Sequence, residues 1–147
     1  MVYNETGATM EIKQISVFLE NNAGRIGEVT RVLADAKINL RAISIADTAD
    51  FGILRLIVDK CDEAIKALKE AGFTTRITNV VAVEIEDVPG SLAKVMELFG
   101  KNMVNIEYLY ASLEGKTGKA VVIFKLGDLQ KGLQIIKENG LITVDSF

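Results

Sequence analysis

The 147-residue chain contains no histidine, which excludes every mechanism built on an imidazole base and every imidazole metal ligand. Cys61 is the single cysteine, so an intramolecular disulfide, a four-cysteine zinc site and a CxxC redox pair are excluded too. Positive charge is not in excess. Lys and Arg total 17 against 20 Asp and Glu, a net charge of -3, and give no electrostatic reason for a nucleic-acid partner. No apolar run approaches the ~18 residues of a spanning helix, and the start lacks the charged-then-apolar pattern of a signal peptide. These absences predict a soluble, cytoplasmic protein with no metal, no cofactor, no membrane and no direct nucleic-acid partner. What is present is apolar material: 49% of the residues are hydrophobic, enough for one ordinary domain or two small ones with real cores.

The chain repeats itself. Placing Gly24 over Gly90 aligns Ile15–Ala46 with the second half without a gap, at a shift of 66 positions. Val17 falls on Val83, Glu20 on Glu86, Val29 on Val95 and Asn39 on Asn105, and apolar positions such as Leu19 and Ile85 match in character. Past the middle the shift becomes 68, setting Gly72 over Gly140, so two residues are inserted near Glu114–Gly118, where Gly and Lys mark a hairpin tip. A duplication follows.

Each half carries the same order of elements. Gln14–Glu20 alternates as a half-buried strand does, and Val81, Val83 and Ile85 repeat it. Turns at Asn21–Gly24 and Asp87–Gly90 open helices, with Pro89, the only proline, suited to a first helical turn. Ile26, Val29, Leu33 and Ala36 lie at helical spacing, as do Leu92, Val95, Phe99 and Met103, and Met96 and Met103 read as core packing. Strands follow at Leu40–Ala46 with Gly52–Val58, and at Ile106–Ser112 with Lys119–Leu126. Second helices are expected over Asp62–Ala71 and Leu129–Asn139, closed by Gly72 and Gly140, before final strands at Thr74–Thr78 and Leu141–Asp145. The fold class is therefore α+β, two ferredoxin-like βαββαβ units with antiparallel sheets. The expected limits are 12–79 and 80–147, with residues 1–11 a loose N-terminal segment. Thr74–Glu86 reads as nearly continuous extended chain with no flexible linker.

The third strands, Ile53–Val58 and Ala120–Phe124, are apolar in both registers, and Phe18 adds an apolar group on the face the helices leave open. Strands buried on both sides read this way. Sheet-face packing between units or chains is expected, and with it a homodimer.

Glu86-Asp87-Val88-Pro89-Gly90-Ser91-Leu92, after an alternating strand and followed by Asn105-Ile106, resembles the signature of the ACT domain. The first half, Glu20-Asn21-Asn22-Ala23-Gly24-Arg25-Ile26 with Asn39-Leu40, is similar but carries Ala23 where Pro is usual. The two copies cover about residues 12–147. The resemblance implies βαββαβ modules that bind free amino acids and regulate a metabolic enzyme or a transcription regulator. It implies no catalytic residues. It places ligand contacts on Asn21, Asn22, Ala23, Gly24, Arg25, Ile26, Gly27, Asn39 and Leu40, and on Asp87, Pro89, Gly90, Ser91, Leu92, Asn105 and Ile106, at a seam between modules.

The residue types fit that chemistry. Gly24 and Gly90 allow a turn and a close approach, and the N–H groups of the helix starts that follow favour a carboxylate. Asn21, Asp87, Asn39 and Asn105 offer oxygens to an ammonium group. Asn and Asp at such places are also ordinary turn residues, so the residues themselves leave both readings open. Arg25 is matched by Ser91 and Asn21 by Asp87, which predicts unequal halves with the first favoured for binding; Arg25 reads either as a carboxylate fork or as solvated surface. Cys61 reads as a small buried apolar residue. The alternatives are a ligand-free structural or interaction module and an acylphosphatase-like hydrolase using Arg25 and Asn39. Asn22–Gly27 lacks the long glycine-rich loop of the latter family, however, and Gly52–Val58 lacks the aromatic pattern of an RNA-recognition sheet.

Overall fold

A computed structural model describes residues 2–3, 9–20, 22–47, 51–113 and 115–145. Eleven elements follow in the order β1 (Ile12–Glu20), α1 (Arg25–Asp35), β2 (Leu40–Asp47), β3 (Phe51–Val58), α2 (Cys61–Glu70), β4 (Thr74–Glu86), α3 (Ser91–Lys101), β5 (Ile106–Ala111), β6 (Lys119–Leu126), α4 (Leu129–Glu138) and β7 (Ile142–Thr143). The chain divides into two compact units, 13–78 and 79–146, the second also taking in residues 1–12. In the first the strand order is β2-β3-β1-β4, and in the second β7, β4, β6 and β5 are neighbours in that order. Both are antiparallel ferredoxin-like sheets.

The pairing registers carry the duplication residue by residue. Glu20 faces Phe51 across β1 and β3, while Glu86 faces Lys119 across β4 and β6. A register shift falls between Leu40 and Ala42, and its copy between Ile106 and Tyr108. The two apolar cores match as well. Ile15, Val17, Leu19, Val29, Leu33, Leu54, Leu56 and Leu68 form the first. Val81, Val83, Val95, Phe99, Val122, Phe124, Leu133 and Ile136 form the second. The alternation of β1 explains the first cluster, because its odd positions share one face.

All four helices end the same way. The residue two past the C-terminal cap donates its N–H back to the last turn: Ile38 to Leu33, Phe73 to Leu68, Val104 to Phe99 and Leu141 to Ile136, at 2.9–3.1 Å. That closure requires a left-handed residue just before, and the duplicated pairs solve it differently. Gly72 and Gly140 end α2 and α4 at φ 88° and 65°, whereas Lys37 and Met103 hold φ 60° and 59° after α1 and α3. A side chain in that region is disfavoured by about 1–2 kcal/mol. Lys37→Gly and Met103→Gly are each expected to stabilise the protein, by about 0.5–1 kcal/mol after the extra unfolded-state entropy of glycine. Urea unfolding with an unchanged slope would show it.

Three expectations need correction. Met103 does not pack in the core: α3 ends at Lys101, and Met103 is 83% exposed because the left-handed turn swings it outward. Pro89 lies in the turn before the cap residue Gly90, not inside α3, so its fixed φ shapes the turn. Met10, placed in a loose segment, is 3% exposed and packs in the second core together with Val2. In the doubly apolar strands Leu56, Ile57, Ile123 and Phe124 are buried, Ile53, Val58 and Ala120 are half-buried, and Phe18 stays 39% exposed.

Gly132 has a packing role of its own. A Cβ there would stand 2.3 Å from Leu126 Cδ1, a buried side chain. Gly132→Ala is thus expected to lower stability by about 1–2 kcal/mol, overpacking outweighing the gain in helix propensity. Chemical denaturation reads the sign.

Candidate functional site

The first turn of α1 follows from Gly24, which takes φ 86° at the cap position, a conformation open to glycine and disfavoured for other residues. No side chain caps the helix, and the N–H of Arg25 reaches the Asn22 carbonyl at 3.3 Å. The duplicate at Gly90, φ 90°, is built alike, with Ser91 N–H on the Val88 carbonyl. Both helix starts leave positive ends toward their surroundings. Asn21 lies outside the described residues. Asn22 is exposed; its side-chain amide donates to Glu20 Oε2 at 3.2 Å, and its own N–H to the Glu20 carbonyl at 2.8 Å.

Arg25 is where the halves part. Its guanidinium lies 4.7 Å from the centre of the Phe73 ring, and Nη1 pairs with Glu28. Nε is shut away from solvent with no acceptor among the described residues, an unsatisfied donor of the kind that disfavours a structure by about 1–3 kcal/mol. Phe73 is placed there by the α2 ending just described, since Gly72 turns the chain sharply enough to deliver the ring beneath Arg25.

A cleft of about 230 Å³ opens at this end of the 13–78 unit, lined by Phe18, Leu19, Glu20, Arg25, Phe51, Gly72, Phe73 and Thr74. Drug-sized ligands and cofactors occupy about 300–1,000 Å³. A smaller molecule fits better. The lining residues include a cation, a carboxylate and three phenylalanines, of which Phe73 is buried in the core. The corresponding positions of the second unit hold Glu84, Lys119, Leu141 and Ser91 in place of Phe18, Phe51, Phe73 and Arg25. There Lys119 pairs with Glu86, and that hydrogen bond holds the lysine ammonium above its ordinary pKa.

The remaining sequence candidates scatter. Ala23, Gly24, Ile26 and Gly27 surround the α1 start and are exposed, whereas Asn39 and Leu40 sit beyond its far end. Eleven residues of α1 span about 16 Å. Asn39 therefore does not share the cleft within this unit. Its N–H donates to Asp59 Oδ1 at 3.0 Å and its carbonyl accepts the Asp59 N–H at 3.2 Å, which fixes the entry to β2. Asn105 does the same for β5 through the Gly127 N–H at 2.9 Å. Leu40 and Ile106 pack against the two cores. Asp87, Pro89 and Gly90 are exposed, Ser91 is half-buried, and Leu92 is exposed at the edge of α3. Sequence reasoning missed Phe51 and Phe73 altogether. A position-by-position comparison of the copies, Phe51 with Lys119 and Phe73 with Leu141, carried the signal.

A family model described as ACT domain pair matches residues 10–146. The chain belongs to that family. A solved protein of Bacteroides thetaiotaomicron, BT0572, is 44% identical, covers 92% of each chain and superposes with a TM-score of 0.87. The ligand-free regulatory subunit of aspartate kinase from Thermus thermophilus shares the fold at 18% identity and TM-score 0.63, over 88% of this chain and 93% of its own. The corresponding subunit from Thermus flavus gives 18% and 0.59, over 88% and 96%. Among curated proteins no match was found. Among the described residues of this ACT domain pair no helix is long and apolar enough to cross a membrane, and no three His, Cys, Asp or Glu side chains cluster as a metal site would require.

Cys61 opens α2 half-buried, and burial is the main cause that pushes its thiol above the ordinary range; Asp62 adds to this and Lys13 opposes it. The thiolate is the reactive form. At pH 7.5 alkylation by iodoacetamide is expected to run slower than for free cysteine. Faster reaction would contradict the assignment.

Proposed function

We propose that this ACT domain pair is a non-catalytic regulatory module that senses a free amino acid, held in the 13–78 unit at the start of α1. One observation carries the reading: Arg25 and Glu20 line a single small cleft beside an uncapped helix start. A carboxylate is suited to Arg25 and the α1 N–H groups, and an ammonium group to Glu20. A zwitterion needs both. The Thermus proteins of the same fold are regulatory subunits of aspartate kinase, which agrees with a module that reports on ligand to another protein. The reading includes a second copy of the chain and a metabolic enzyme or transcription regulator as partners. Phe51, 61% exposed, and the exposed Ile45 and Leu113 are apolar groups open to such contacts. A ligand-free interaction module would use the same groups.

A thermal-shift screen against the twenty amino acids separates the two. A ligand at 100 times its dissociation constant adds about 2.7 kcal/mol, which raises Tm by roughly 5–10 °C in a chain of this size. No shift with any of them would leave the interaction module. Sedimentation equilibrium reads the homodimer, and a strict monomer at high micromolar concentration, with and without ligand, would remove it.

A further inference from the structure

The two units began as copies, and their duplicate positions differ in how firmly they hold the same elements. At shifts of 66 or 68 positions, Lys60 stands for Asp128, Ala36 for Asn102 and Ala71 for Asn139. Asp128 caps α4 by accepting the Lys131 N–H at 3.1 Å. Asn102 and Asn139 end α3 and α4 by donating to the Leu98 and Ile135 carbonyls at 2.8 and 2.9 Å. In the first unit α2 starts at Lys60 without a side-chain cap, and the methyl groups of Ala36 and Ala71 donate nothing. The cores differ in the same direction. Phe99 and Phe124, in edge contact, stand for Leu33 and Leu56, and buried Ile135 stands for half-buried Ala67. Met10 and Val2 add to the second core alone. Two features weigh the other way: helical Gly100 and Gly132 against Gly27, and six residues in β5 against eight in β2. A cap offsets about one such glycine, and the extra apolar burial remains in favour of the second unit.

We propose that the 13–78 unit opens by itself while the 79–146 unit stays folded, and that an amino acid is sensed by suppressing this opening. The sensing half rests on the amino-acid reading above; the opening does not. Parts of a protein open separately when their own packing and capping differ, and ligand-responsive elements are drawn from the weaker parts. Every residue that lines the cleft belongs to the weaker unit. A molecule held there binds the folded form and shifts the balance toward it by mass action. The signal passed on is then the ordering of one unit while the other stands.

Native-state hydrogen exchange on the full chain, read by NMR at low urea, tests this. Amides of β1, β3 and α2 are expected to share one urea dependence and to exchange at least tenfold faster than the slowest amides of α3, β6 and α4. The triple variant Lys60→Asp, Ala36→Asn, Ala71→Asn, which writes the second unit's caps into the first, is expected to slow the first group at least tenfold. The reverse variant, Asp128→Lys, Asn102→Ala, Asn139→Ala, is expected to speed the second group and leave the first within twofold. One common rate and urea dependence for both groups would overturn the proposal, as would a first group more protected than the second. Equal acceleration of both groups in the reverse variant would overturn it too, because a single global unfolding behaves that way. A mixture of the twenty amino acids is expected to slow the first group. Slowing confined to the second group would overturn the sensing half and leave an amino-acid ligand standing in the other unit. No slowing in either group would remove the amino-acid reading and its sensing half, and leave the separate opening.

Discussion

Phe99→Ala is expected to lower stability by about 3–5 kcal/mol, the largest effect of any single change considered. Phe99 is fully buried on α3 and meets Phe124 edge-on, with ring centres 5.5 Å apart and planes at 68°. Truncation removes the ring contact and leaves a void between α3 and the sheet, where Val95, Val122 and Leu133 are held by their own elements. Domains of ordinary size have about 5–15 kcal/mol in total, so the 79–146 unit would stand near its unfolding limit. Phe99→Leu reproduces the residue at the duplicate position, Leu33, and is expected to cost less than half as much. Urea denaturation followed by circular dichroism distinguishes the two. Equal, small losses would show that the core around Phe99 collapses to fill the gap.

Arg25→Ser is expected to weaken the bound amino acid about 10- to 100-fold, since hydrogen bonds to a charged group contribute about 1.5–3 kcal/mol. The fold should tolerate the change, because Ser91 opens α3 at the same position. What is lost is the guanidinium over Phe73 and its pairing with Glu28, both partly exposed and each of small effect on stability. Arg25→Lys keeps the charge without the planar fork and is expected to fall between the two. Titration calorimetry at fixed salt reads all three proteins. Equal affinities would place the carboxylate elsewhere.

Much of the fold was legible because its causes are local or periodic. The period-two pattern at Ile15, Val17 and Leu19 needs no knowledge of distant residues, and the glycines at 24, 72, 90 and 140 mark left-handed turns that favour them. Met103 was misread for the same reason. Its spacing continues the apolar stripe of α3, yet Asn102 already caps the helix and the chain then turns left-handed, carrying the side chain outward. The burial of Met10 depends on contacts with residues more than seventy positions away, which no local pattern encodes.

The candidate site was legible only in part. Gly24, Arg25 and the α1 start stand out by motif, and the difference between Arg25 and Ser91 already marks the first half as special. The cleft itself joins the end of β1, the start of β3 and the end of α2, so Phe51 and Phe73 come to it from two stretches of chain distant in sequence from β1. Asn39 lies apart from that cleft within its own unit. The helix between it and Gly24 runs the length of the unit, so closeness in a motif became separation in space.

Co-crystallisation with the amino acid that gives the largest thermal shift tests the central claim most directly. Ligand density is expected in the cleft of the 13–78 unit, with a carboxylate oxygen within about 3 Å of the Arg25 guanidinium or the Ile26 and Gly27 N–H groups and the ammonium group toward Glu20. Density at the Ser91 loop, with that cleft empty at saturating ligand, would contradict it.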